Sequence, residues 1–244
     1  MRANHPNDTI CLRNRGLTTE AGKFNGQVRL NYDFLDKPLK KKKPTTYAVW
    51  NDLLHEDVPF EFIEQAFCVM DEAYQHTFLI LTKRIKRLAE FMDYYAGRCA
   101  DYSVGQGWAP SPNVWLGVTV ENKDHLWRVG ELVKIPAAVH WMSAEPLLSE
   151  LPLYGWTVSI PWAGGEKMGG RDYTPVLNQL DWVACGEESG PGARFAPAGA
   201  ILNLKDQCVA AGVPFFLKQI RVDGKLIKMP VLDGRTWDDM PVVV

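Results

Sequence analysis

The feature that most constrains this chain is a recurrence of short, uninterrupted apolar runs separated by longer amphipathic stretches. Tyr47-Ala48-Val49-Trp50, Thr77-Phe78-Leu79-Ile80-Leu81, Val114 to Val120, Val139-His140-Trp141-Met142, Trp182-Val183-Ala184-Cys185 and Val213 to Leu217 each have the pattern of a buried strand. Phe60 to Ala73, Ile85 to Ala96, 123–133 and 197–211 carry apolar residues at helical spacing. Buried strands alternating with helices specify a parallel sheet covered by helices. The expected fold is α/β, a partial (β/α) barrel of about six parallel strands with outer helices. An open doubly wound sheet is the alternative.

Residues 1–25 are polar and weakly patterned, 26–222 form the expected barrel domain, and 223–244 form a C-terminal extension. Gln27 to Tyr32 alternates and predicts an edge strand, while 149–178, rich in Gly and Pro, predicts an irregular excursion. With 244 residues and 46% apolar content, the chain can bury a core without disulfides or a structural metal. The formal charge of −2 gives no overall basic field for nucleic acid. The run Lys40 to Lys43 is either a solvated loop or a local anion contact. Nine tryptophans are expected in the core and at its rim, some of them lining a cavity.

The five cysteines, Cys11, Cys68, Cys99, Cys185 and Cys208, are odd in number and widely separated. That spacing argues against a disulfide framework and against a local zinc or iron–sulfur site, and fits a reducing cytoplasm. No apolar h-region and no 18-residue apolar run is present, so neither a signal peptide nor a membrane span is expected.

The polar residues just beyond each apolar run carry the chemistry. Asn51 and Asp52 come after the first, Lys83 and Arg84 after the second, and Thr119, Glu121 and Asn122 end the third. Ser143 and Glu145 come after the fourth, Gly186 to Gly190 after the fifth, and Lys218 and Gln219 after the sixth. In a parallel sheet these groups converge at one pole, where a barrel holds its active site. Lys83 and Lys218 are candidate base or Schiff-base residues. Glu121, Glu145 and Glu188 suit acid–base work or a divalent metal. The segment from Gly186 to Arg194 is either a loop that cradles an anion or a structural turn.

Several segments, taken together, resemble a known family: QHTFLILTKR (75–84), NVWLGVTVEN (113–122), AAVHWMSAEPLL (137–148), LDWVACGEESGPGAR (180–194) and GVPFFLKQ (212–219). NDLLHEDVP (51–59) and LDGRTWDDMP (232–241) add to the likeness. They resemble the phage gp-thirty-seven/gp-sixty-eight family of phages and prophages, regarded as radical-SAM-like. The resemblance implies a partial barrel of the radical-SAM type that binds S-adenosylmethionine beside a [4Fe–4S] cluster held by three N-terminal cysteines.

Two departures matter. The three-cysteine segment is missing, and Glu187 stands where family members usually have a second glycine, a carboxylate expected to alter the loop or repel an anion. The expectation is therefore a cluster-deficient chain, through a late start, a split gene whose product is a partner supplying the cysteines, or degeneration. No metal ligand set is assigned. Strand-end position together with the resemblance implies catalytic roles for Lys83, Lys218 and Glu145. Cofactor contacts fall to Thr119, Glu121, Ser143, Glu145, Gly186, Glu188 and Ser189, and substrate contacts to Asp52, Arg84, Arg194 and Gln219. Two other functions stay open: a non-catalytic binding or partner protein, and a cluster-free barrel enzyme acting on a phosphorylated or sugar substrate. A small-molecule ligand is the expected partner, with nucleic acid possible but unsupported by charge and no membrane.

Overall fold

The computed structural model describes residues 16–17, 25–49, 52–102, 109–159, 173–190 and 192–242. Helices α1 to α5 span Lys37–Lys40, Phe60–Glu72, Ile85–Tyr102, Trp127–Leu132 and Ala200–Ala211. The main strands are β1 (Thr46–Val49), β2 (Thr77–Thr82), β3 (Val114–Thr119), β4 (His140–Ala144), β7 (Trp182–Gly186), β8 (Phe215–Val222) and β9 (Lys225–Lys228). They form one sheet in the order β1-β2-β3-β4-β7-β8-β9, parallel as far as β8 and antiparallel at β9. Strands β5 (Thr157–Ser159) and β6 (Tyr173–Pro175), in the expected excursion, pair antiparallel, and β10 (Val231–Leu232) pairs with β11 (Arg235–Thr236) near the C-terminus.

Strand order follows chain order with no reversal, so the sheet has no switch point of the doubly wound kind. The helical crossovers instead return to the same face. One apolar cluster joins Phe62, Ile63 and Phe67 of α2, Leu88 and Phe91 of α3, Val129 and Leu132 of α4 and Leu204 of α5 to one face of the strands. The seven-stranded sheet curls into a half-barrel with these helices outside. Helix α2 forms because its apolar residues recur at 62, 63, 66, 67 and 70, one stripe buried against the sheet. Helix α5 stops at Gly212, whose φ of 70° lets its N–H reach back to the carbonyls of Cys208 and Val209.

The inner face is packed in layers. Leu79, Trp115, Val139, Trp141 and Trp182 form a second buried cluster, with Leu81, Ala184 and Phe216 against it. The Trp141 and Trp182 rings lie 5.2 Å apart and tilted, and Trp115 meets Trp182 edge-on at 6.2 Å. Gly117 makes room for this layer. A Cβ there would lie 2.3 Å from the indole of Trp141.

The expected edge strand at Gln27 to Tyr32 does not form; Tyr32–Phe34 is a turn of 3-10 helix. Tyr32 packs edge-on against Phe62 at 5.0 Å, a contact with a helix rather than with a neighbouring strand. Trp50, Asn51 and Cys11 lie outside the described residues.

Candidate functional site

Register fixes what stands above the tryptophan layer. Gly117, Trp141 and Trp182 are neighbours across β3, β4 and β7, and one pleat further on Thr119, Ser143, Ala184 and Phe216 form the next row. Thr119 and Ser143 are buried. Strands alternate faces, so Glu121 and Glu145 follow on the same side as Thr119 and Ser143. Apart from Phe216, a row of small side chains thus sits below a rim of charged ones.

The rim residues fall into separate pairings. Glu121 takes a hydrogen bond from Lys83, and its other oxygen accepts from Arg128 Nη1 at 2.9 Å, with His125 Nδ1 at 3.4 Å. Arg128 Nη1 also donates to the carbonyl of Thr119 at 2.7 Å. Burial would raise the Glu121 pKa, but the Lys83 hydrogen bond, backbone donors and the charges of Lys83 and Arg128 outweigh it and hold it below the usual range. Across the mouth, Lys218 Nζ lies 2.9 Å from both oxygens of Glu145, and Gln219 Nε2 donates to one of them at 3.2 Å. A Cβ added to Gly186 would meet Gln219 and Glu145 at 3.5 Å, ordinary contact. Glu188 binds Arg194 in bidentate fashion, at 2.9 and 3.1 Å, and accepts from the Arg194 backbone N–H at 2.8 Å. Ser189 is exposed beside it. Asp52 and Arg84 pair with each other, with Glu56 sharing the guanidinium, in an exposed group of their own.

Glu187 acts on the loop itself. It is buried, and its two oxygens accept from the backbone N–H groups of Ala196 and Arg221. The carboxylate ties the loop after β7 to β8. His125 and Arg128 escaped the sequence reading, although their spacing from Glu121, four and seven residues on, is that of one helical face. Asn122 starts that turn by accepting from the N–H of Asp124 at 3.0 Å.

Residues 4–241 match a family described as protein of unknown function, DUF5131. The chain belongs to the DUF5131 family. No curated protein and no solved structure matches it.

The thiols of this DUF5131 protein do not fit an iron–sulfur cluster among the described residues. Cys185 and Cys208 are buried in the helix-side core, and burial pushes both thiols up, Cys208 to about 12. Cys68 and Cys99, on α2 and α3, are also raised, first by burial. Cluster ligation needs accessible thiolates grouped together, and the described residues contain no group of three or more His, Cys, Asp or Glu able to hold a metal. Among the described residues no helix is long and apolar enough to cross a membrane.

The loop of the DUF5131 protein after β7 has a measurable acid limit. The Arg194 side-chain hydrogen bonds, then its backbone N–H, hold the Glu188 carboxyl down to about 2. A depressed folded pKa stabilises above the ordinary carboxylate value and is lost as pH falls through the folded one. The Glu188–Arg194 contact is thus complete above about pH 4.5 and lost towards about pH 2. A carbon-detected NMR titration is expected to show Glu188 titrating near pH 2, and Arg194→Ala to return it to the ordinary range. A midpoint near 4 in the unmodified protein would refute the pairing.

Proposed function

We propose that this protein binds S-adenosylmethionine, or a related ligand with an amino-acid head, at the carboxyl-end mouth of the half-barrel. The observation that carries the reading is the Glu145–Lys218 pair beside the small row of Ser143, Ala184 and Gly186. The resemblance to the phage gp-thirty-seven/gp-sixty-eight family supplies the identity of the ligand.

The chemistry favours a zwitterion. Glu145 and Lys218 are partly exposed, their side chains 25% and 45% accessible. An ion pair of that exposure contributes about 0–1 kcal/mol to folding, so opening it costs little. A ligand α-ammonium takes the place of Lys218 at Glu145, and its α-carboxylate takes the place of Glu145 at Lys218, so both charges stay paired. Gln219 holds Glu145 in place while its own amide also donates to the Glu187 carbonyl at 2.8 Å. When bound, S-adenosylmethionine supplies an activated sulfonium. The described cysteines do not fit a cluster, so the proposed binding involves no radical step. Scattered thiols and an unremarkable charge balance support a cytoplasmic setting.

Calorimetric titration with S-adenosylmethionine, S-adenosylhomocysteine and methionine tests the reading. Saturable binding of the first is expected, with Lys218→Met weakening it at least about tenfold, or 1.4 kcal/mol, at unchanged thermal stability. Absence of heat and of any melting shift at about 1 mM of all three ligands would sink it.

A further inference from the structure

The cluster around Glu121 has more positive charge than that carboxylate can satisfy. Lys83 and Arg128 each bring a permanent charge, and His125 stands against the same oxygen as Arg128. Glu121 neutralises one of the two. The neighbouring acids do not make up the difference: Glu188 is taken up by Arg194, and Asp124 is exposed next to Lys123.

Unmet donors point the same way. The Arg128 side chain is 10% accessible, and its Nε is buried with no hydrogen-bond partner, as is His125 Nδ1. Nη1 of Arg128 carries both of that side chain's hydrogen bonds, to Glu121 and to Thr119. Lys83 Nζ spends one of its three donors on Glu121, and its side chain is 56% exposed. Buried donors left unpaired in a folded protein call for a reason. A surplus of charge-bearing donors converging on a solvent-facing rim has the make-up of an oxyanion site.

We propose that Lys83, His125 and Arg128 form a phosphate subsite, in which Glu121 holds the cations in place and a phosphate group of a second reactant completes their coordination. The second reactant is thus a phosphorylated compound, placed across the mouth from Glu145 and Lys218. The inference rests on the mouth being the ligand site and is independent of which ligand occupies the Lys218 side. Donors from three side chains suit the three acceptor oxygens of a phosphate monoester better than the two of a carboxylate.

Titration of the full chain with inorganic phosphate and with adenosine monophosphate, followed by phosphorus NMR and calorimetry, tests this. Saturable binding of phosphate is expected, weakened at least tenfold in Lys83→Met and in His125→Gln while melting temperatures stay within a degree or two of the parent. Arg235→Met, which removes a surface pair elsewhere, serves as the control and is expected to leave binding unchanged. Tighter binding of the nucleotide assigns the phosphate to a nucleotide reactant, and equal affinities assign the site to phosphate alone. No saturation by either probe, or equal affinity in Lys83→Met, overturns the subsite. Phosphate binding without S-adenosylmethionine binding overturns only the reading of the Lys218 side, and the reverse result overturns only the subsite.

Discussion

Gly117→Ala is expected to destabilise the protein by about 3 kcal/mol, the upper end of the usual cost of overpacking a core. At a melting shift of roughly 2–4 °C per kcal/mol for a domain of this size, the midpoint falls by roughly 6–12 °C. The sign is what makes the test sharp. Gly117 has no positive φ, and at an unobstructed site a glycine-to-alanine change stabilises by about 0.4–1 kcal/mol through the unfolded chain. Here the new methyl would lie 2.3 Å from Cε2 and 2.4 Å from Nε1 of Trp141, too close for any rotamer adjustment of the methyl itself. The indole must move, yet it is wedged against Trp182 and donates to the Trp115 carbonyl at 3.3 Å. Trp141→Leu alone opens a cavity and is also destabilising, but combined with Gly117→Ala it should cost less than the two added together. Thermal unfolding of the four proteins measures this coupling. Gly117→Ala within about 0.5 kcal/mol of the parent would show that the ring does not lie where described.

The second large effect concerns the buried pair of Glu121 and Arg128. Both residues are 8% exposed. Glu121→Leu removes the counter-charge while leaving the guanidinium in place, a change expected to cost about 3–5 kcal/mol. Adding Arg128→Met should recover much of that loss, since an apolar pair of similar volume replaces a buried ionic one at little net cost. The exposed pair Arg235–Asp239 provides the scale: its disruption is expected to change stability by less than about 1 kcal/mol. Denaturant unfolding of these variants decides the matter. A Glu121→Leu protein no less stable than one lacking Asp239 would mean that Arg128 is solvated after all.

The same residues show how far the sequence carries. The inner parallel strands β2, β3, β4 and β7 were legible because they are largely buried on both faces, and uninterrupted apolar runs of that kind have few other uses in a chain of this size. Polar strand ends pointed to the mouth for the same geometric reason. Gln27 to Tyr32 misled because alternation alone says nothing about whether a neighbouring strand is available. β9 escaped because Lys-Leu-Ile-Lys has no apolar run, although its turn was visible: Asp223 and Gly224, with φ of 48° and 76°, are the Asp-Gly pair of a tight hairpin. Asp233 and Gly234 repeat the device between β10 and β11, with φ of 50° and 82°. The pairing of charges at the site was not legible. Which lysine meets which carboxylate depends on register between strands far apart in sequence, and the partnership of Glu121 with His125 and Arg128 required knowing that a helical turn comes directly after the strand.

The reversal at β9 leaves the described sheet with an edge at each end. Here the described strands stop at β1 on one side and at an antiparallel β9, with Lys225 and Lys228 along it, on the other. The described sheet therefore ends in two open edges rather than a continuous rim. Charged side chains along the β9 edge oppose the pairing of a further strand from another molecule.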